Sequence, residues 1–317
     1  MANSVMSKWI LVCAAMAAAC GTAARLSGAA ARSETPPAIQ SAPQAGQGAG
    51  AAMPLPNRDD SLKFGVIGDN GTGEKAQYDL ASQMASWHER FAFPLVVMVG
   101  DNLYGSERPQ DFQNKFELPY KALLDAGVKF YASLGNHDSR EQRYYKPFNM
   151  GGKLYYSFKA PKQDVRFFAL ESTYMDDAQL KWIENELKSS NEKWKICFFH
   201  HPLYSSARTH GSELKLRAVL EPMFIQYDVS LVLNGHDHVY ERIKPQNGIQ
   251  YFVTGSGGQL RAGDLRKGSP LTAKGDDASQ VFMLMEIDGD DLWYAAIDRS
   301  GKVIDSGSFT RRKGQDH

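Results

Sequence analysis

The chain is short of cysteine, of net charge and of long apolar runs, and each shortage closes off a class of explanation. Three cysteines occur in 317 residues, and two of them, Cys13 and Cys20, lie close to the N-terminus. Cys197 is alone in the body of the chain, so no disulfide can form within it. Its apolar, strand-like surroundings read as a buried structural thiol. Lys plus Arg number 36 and Asp plus Glu number 36, a formal net charge of zero. Bulk charge therefore draws in neither nucleic acid nor an anionic membrane. A phosphate-bearing small molecule stays compatible, because bound cations can supply a local positive field. The apolar run from Trp9 to Ala19 is too short to span a bilayer. No internal repeat is present. Hydrophobic content of 43% and charged content of 23% are ordinary for a globular protein.

The N-terminus reads as an address. Lys8, the alanine-rich run and the small residues after it follow the order of a secretory signal peptide, expected over residues 1–28. Ala17-Ala18-Ala19-Cys20-Gly21 resembles a bacterial lipobox, with Ala17 where a larger aliphatic residue is usual. Two outcomes stay open: a lipid anchor at Cys20, or plain cleavage near Ala24 or Ala30. Either gives an exported protein without a transmembrane span in its mature form. It would be periplasmic, on the outer surface as a lipoprotein, or secreted. Residues 29–58 are rich in Ala, Gly, Pro, Gln and Ser and lack apolar periodicity, so a disordered linker is expected. One folded domain is expected over 59–312.

Within that domain, strand-like runs alternate with helical stripes, the pattern of an α/β fold. Leu80, Met84, Trp87 and Phe91 form one stripe. Leu180, Ile183 and Leu187 form a second, and Leu216, Val219, Leu220, Met223 and Tyr227 a third. The C-terminal part is more strand-like, over 249–254, 281–287, 292–297 and 303–309, with polar turns between the last of these.

Five hydrophobic runs end in residues that bind metals. Leu62 to Ile67 leads to Gly68-Asp69-Asn70-Gly71, and Leu95 to Val99 leads to Gly100-Asp101-Asn102-Leu103-Tyr104. Val128 to Leu134 leads to Gly135-Asn136-His137-Asp138. Trp194 to Phe199 runs into His200-His201-Pro202, and Val229 to Leu233 leads to Gly235-His236-Asp237-His238. Ligand sites of open α/β sheets gather at strand C-termini. Carboxylate, amide, imidazole and phenol together suit iron, zinc or manganese. A single Asp after Gly is usually a turn or a helix cap. Five such motifs in this order are a site.

These motifs resemble those of the calcineurin-type metallophosphoesterases and, through Tyr104, the purple acid phosphatases; length and motif spacing resemble the compact, tartrate-resistant kind. The resemblance runs from about Leu62 to about Gly258. It implies a four-layer α/β/β/α sandwich with two mixed β-sheets. It assigns Asp69, Asp101, Tyr104 and His238 to one ion, and Asp101, Asn136, His200 and His236 to the other, with Asp101 bridging. The anionic, oxygen-rich first set suits Fe(III). The second suits Fe(II), Zn(II) or Mn(II). The implied reaction is hydrolysis of a phosphate monoester by a hydroxide held on the metals, with His137 or His210 protonating the leaving group. The proline offset selects His200 over His201 as ligand, leaving His201 beside the substrate or purely structural. Asp138 is expected to orient the His137 imidazole. Tyr240, Glu241 and Arg242 are expected to support the site, and Gly255 to Gly258 to pass beside the metals. Two alternatives remain: a phosphodiesterase with the same core, and a non-catalytic surface lipoprotein that captures metal or phosphate.

Overall fold

A computed structural model of the chain describes residues 53–312. The expected signal peptide, the lipobox at Cys20 and the linker up to residue 52 lie outside the described residues. Residues 53–58, assigned to the linker by composition, pack against the domain. Leu55 is 3% exposed and belongs to the core. The backbone N–H groups of Asn57 and Arg58 both donate to the buried Glu286 carboxylate, each at 2.6 Å. A lone Leu in a Pro- and Ala-rich segment has no periodicity to announce its burial, so composition placed the boundary too late.

The described residues contain two mixed sheets. The first runs β13-β12-β11-β1-β2-β3. Its strands are β1 (Leu62–Ile67), β2 (Leu95–Val99), β3 (Lys129–Ser133), β11 (Val281–Asp288), β12 (Asp291–Asp298) and β13 (Val303–Thr310). The second runs β10-β8-β9-β7-β6-β5-β4. It is built from β4 (Tyr156–Lys159), β5 (Val165–Ala169), β6 (Trp194–Phe198), β7 (Val229–Asn234), β8 (Tyr240–Ile243), β9 (Gln250–Thr254) and β10 (Thr272–Asp276). β1, β2 and β3 pair in parallel, as do β5, β6, β7 and β9. Parallel neighbours need a crossover. α1 (Lys75–Arg90) joins β1 to β2, α2 (Pro109–Phe112) and α3 (Lys121–Asp125) lie between β2 and β3, α4 (Asp177–Ser189) joins β5 to β6, and α5 (Leu214–Gln226) joins β6 to β7.

Strand alternation sorts the side chains of the second sheet into two cores. Phe167, Ala169, Ile196, Phe198, Leu231 and Leu233 point inward and pack with Phe64, Val66 and Met283 of the first sheet. Their neighbours Phe168, Cys197, Phe199 and Val232 point outward onto Ile183 and Leu187 of α4 and Leu220 and Phe224 of α5. Leu80, Met84 and Trp87 of α1 cover the other sheet. The result is the expected α/β/β/α sandwich, with Cys197 buried as a structural thiol. The two sheets are also tied by polar contacts: Tyr240 and Arg242 of β8 both donate to Asp305 of β13 at 2.8 Å. This is the structural role of two of the three residues expected to support the site.

Two consequences position the site. β1, β2 and β3 end on the same side of the first sheet, and β6 and β7 end on the same side of the second. Packed face to face, the sheets bring those five strand ends together. The short strands β4, β8 and β10 carried no separate sequence signal.

Candidate metal centre

Side chains from all five strand ends converge. On one side the Tyr104 hydroxyl lies 3.1 Å from Asp69 Oδ1 and 3.1 Å from His238 Nε2. Asp69, Asp101 and His238 have ligand atoms within 4.8 Å of one another. On the other side, His200 Nε2 is 3.0 Å from Asn136 Oδ1, 3.1 Å from His236 Nδ1 and 3.4 Å from Asp101 Oδ1. Asp101 therefore belongs to both groups. The seven residues singled out as ligands are together, and the shared member is the one expected to bridge.

The backbone is bent to make this possible. Asp69, Asp101 and His236 adopt left-handed φ values of 53°, 51° and 71°. Such conformations cost non-glycine residues about 1 kcal/mol or more each and persist where the surroundings enforce them, often at functional sites. The motif glycines are steric requirements. A Cβ on Gly135 would stand 2.1 Å from Asp101 Oδ1, and one on Gly235 would stand 2.4 Å from Asp69 Oδ2. The carboxylates occupy the space a side chain would need. Each is also aimed by a backbone donor: His137 N–H to Asp101 Oδ1 and His236 N–H to Asp69 Oδ2, both at 2.9 Å. His200 Nδ1 faces the Val99 carbonyl at 3.1 Å. A proton held there leaves Nε2 as a lone-pair donor facing inward.

The electrostatics fit cations. Burial and the neighbouring Asp101 carboxylate push Asp69 well above the usual carboxylate range, and burial raises Asp101 too. Burial pushes the His200, His236 and His238 imidazoles down, reinforced by His201, His200 and Arg261 respectively. Neutral imidazoles are ligands and crowded carboxylates repel each other, so positive charge between them relieves both. Burial and the two carboxylates also raise the Tyr104 phenol far above its ordinary range. A bound cation reverses that field and favours the phenolate.

Around this core the sequence expectations fare unevenly. His200 is the inward-facing member of its pair. Both histidines follow β6, which ends at Phe198. His201 packs its ring against that of His236, centroids 4.3 Å apart, and its Nδ1 lies 2.9 Å from Ser172 Oγ. His137 is exposed, its ring centroid 4.9 Å from that of Tyr104. His210 is also exposed, its ring centroid 4.2 Å from that of His236. The structure does not use Asp138 to orient His137. Its carboxylate accepts backbone N–H groups of Gly135, Asn102 and Leu103 at 2.8 to 3.0 Å, and side-chain amides of Asn102 and Gln142. It clamps the loop after β2 to the loop after β3, because a buried carboxylate collects every donor in reach. Gly257 and Gly258 donate to the carbonyls of Gly68 and Asp69, so the glycine-rich turn does pass beside the ligands. Glu241 accepts from Ser206 N and Oγ and holds the segment leading to His210.

Two residues of the surroundings have no sequence signal. Asp264 accepts from Thr209 N at 3.1 Å and Thr209 Oγ1 at 2.7 Å, fixing the residue before His210. Arg261 donates its N–H to the His238 carbonyl at 3.0 Å, and its charge depresses both His238 and His210. Both lie in a stretch without apolar periodicity, and only the folded chain puts them beside the histidines.

A two-sheet sandwich with a shared aspartate and paired imidazoles at its strand ends is the architecture of a metal-dependent phosphoesterase. Residues 62–240 match the family described as calcineurin-like phosphoesterase, and the chain belongs to it. It is 28% identical over 284 residues to purple acid phosphatase 4 of Arabidopsis thaliana, covering 78% of this chain and 84% of that protein. It is 25% identical over 303 residues to rat (Rattus norvegicus) tartrate-resistant acid phosphatase type 5, covering 80% of this chain and 91% of that one. Among solved structures, the yellow lupin (Lupinus luteus) purple acid phosphatase PPD1 superposes with a TM-score of 0.67 at 21% identity. That match covers 82% of this chain and 56% of the lupin one. GAP50, the anchor in the inner membrane complex of Plasmodium, superposes with a TM-score of 0.68 at 18% identity. It covers 81% of this chain and 91% of GAP50. These two superpositions speak to the fold.

Proposed function

We propose that the chain is an exported acid phosphatase that hydrolyses phosphate monoesters at a mixed-valence pair, Fe(III) with Fe(II), Zn(II) or Mn(II). The observation that carries this is Tyr104. Its hydroxyl stands 3.1 Å from donor atoms of both Asp69 and His238, which supports a phenol in the donor set. Asp69, Asp101, Tyr104 and His238 would hold the trivalent ion, and Asp101, Asn136, His200 and His236 the divalent one. Bound there, the pair supplies charge neutralisation for the phosphoryl oxygens and an activated water. The protein's own part is to orient and to move protons. Backbone N–H groups of His137 and His236 keep the two carboxylates aimed. The imidazoles of His137 and His210 stand at the exposed rim, where a leaving oxygen needs a proton. Export rests on the N-terminal pattern, with anchoring at Cys20 or release both open.

The fold alone does not decide the activity, since it also serves an anchor protein. The deciding experiment pairs p-nitrophenyl phosphate with bis(p-nitrophenyl) phosphate on metal-replete protein and records its visible spectrum. Preference for the monoester, with a broad visible band, is the expected result. Preference for the diester would make this a phosphodiesterase. Full metal content with no turnover of either ester would favour a binding protein.

A further inference from the structure

A pocket of about 120 Å³ adjoins the centre on the Asn136 side. Its walls include Asn136, Arg140, Glu171, Thr173 and Tyr174. Glu171 is 2% exposed. One of its oxygens accepts the N–H groups of Thr173 and Tyr174 at 2.6 and 3.2 Å, which shapes the wall. The other oxygen, Oε2, has no hydrogen-bond partner, and neither does Thr173 Oγ1. Buried polar atoms are ordinarily satisfied. Two orphans on residues lining one pocket mark places for a ligand's hydroxyls or for water. Tyr174 exposes an aromatic face, being 64% accessible, and the Arg140 guanidinium lies 5.7 Å from its ring centroid.

A carboxylate acceptor, a hydroxyl, a guanidinium donor and an open aromatic face together match a molecule carrying several hydroxyl groups, each both donor and acceptor. Asn136 belongs to the pocket wall and also lies 3.0 Å from His200. The pocket therefore begins where a phosphoryl group on the metals would end. We propose that it receives the leaving group of the phosphoester and selects a hydroxylated one, a polyol or sugar phosphate over a plain alkyl phosphate. This rests on the phosphatase reading. An alkyl group there would leave Glu171 Oε2 and Thr173 Oγ1 desolvated and unpaired, which is what disfavours it.

The test compares kcat/KM for sn-glycerol 3-phosphate and n-propyl phosphate, which share a three-carbon chain and differ in hydroxyls. The expected wild-type ratio is about tenfold or more. Thr173→Val removes one orphan at nearly constant shape. Glu171→Gln keeps an oxygen for the two loop N–H groups and removes the charge. Each should lower the ratio several-fold, and the ratio cancels any loss at the metals common to both substrates. A wild-type ratio near one, or one unchanged in both variants, overturns the proposal. If Glu171→Gln fails to fold, Thr173→Val carries the test alone. Saturation-transfer NMR with glycerol and propan-1-ol on metal-replete protein gives a readout without turnover. Glycerol contact weakened by Thr173→Val supports the pocket's role, and no contact in wild type means water alone fills it. If no phosphoester is hydrolysed, the phosphatase reading fails and the NMR comparison still decides the pocket.

Discussion

The two halves of the metal centre share Asp101 and differ in almost everything else. One half adds a carboxylate, a phenol and an imidazole, from Asp69, Tyr104 and His238. The other adds an amide and two imidazoles, from Asn136, His200 and His236. Donor charge is written directly in residue type, so under the proposed function the first half would suit a trivalent ion and the second a divalent one. The surroundings differ too. In the first half burial and then the charge of Arg261 discourage protonation of His238. In the second half burial and then the crowd of other histidines keep His200 and His236 neutral.

The comparison is broken most severely at the residue the halves share. Asp101→Ala should empty both and lower kcat by at least about 10³-fold, since both charge stabilisation and water activation go with the ions. Steady-state kinetics on p-nitrophenyl phosphate measures it. Next comes His200→Ala, which should cost about 10²-fold and remove one metal equivalent while the other half keeps its ion. His201→Ala should cost about tenfold or less with metal content unchanged, because His201 bonds Ser172 and not a ligand. Elemental analysis showing the reverse would mean the wrong neighbour was chosen.

A sharper cut falls within the anionic half. Tyr104→Phe keeps the ring and deletes one donor oxygen, so about tenfold of activity should go while the visible band bleaches. A variant with iron bound and its band unchanged would take Tyr104 out of the donor set. The smallest effect concerns pH. His210 is held below its ordinary value of 6.5 by burial and then by Arg261. As proton donor its active form is the protonated one, so kcat should fall as pH rises through a pKa below 6.5. His210→Gln should flatten that limb at a cost of under about tenfold. An unchanged limb would point to His137.

The two halves were equally legible in the sequence, and for the same reason. A ligand at a strand end needs a particular residue type, and at four of the five ends it stands beside a glycine, which at Gly135 and Gly235 makes room for a carboxylate. Both requirements are local, so Gly135-Asn136 and Gly235-His236 stand out in a single chain. The strand runs and helical stripes were legible because burial on one or two faces leaves a period. What surrounds the centre was not. Asp138 looks like a partner for its neighbour His137 and instead clamps Asn102 and Leu103, because burial brings those donors closer than sequence order does. Asp264 acts on the His210 segment from a distant position. Leu55 enters the core from a segment with a linker's composition. The Glu171 pocket depends on which polar atoms remain unpaired, a property no sequence pattern encodes.

The central claim is that two cation sites share one carboxylate. Metal stoichiometry tests it most directly, by elemental analysis of wild type and Asp101→Ala purified side by side. Wild type should hold two equivalents per chain and Asp101→Ala well under one. Two equivalents retained without Asp101 would contradict the shared bridge and with it the division of the centre into halves.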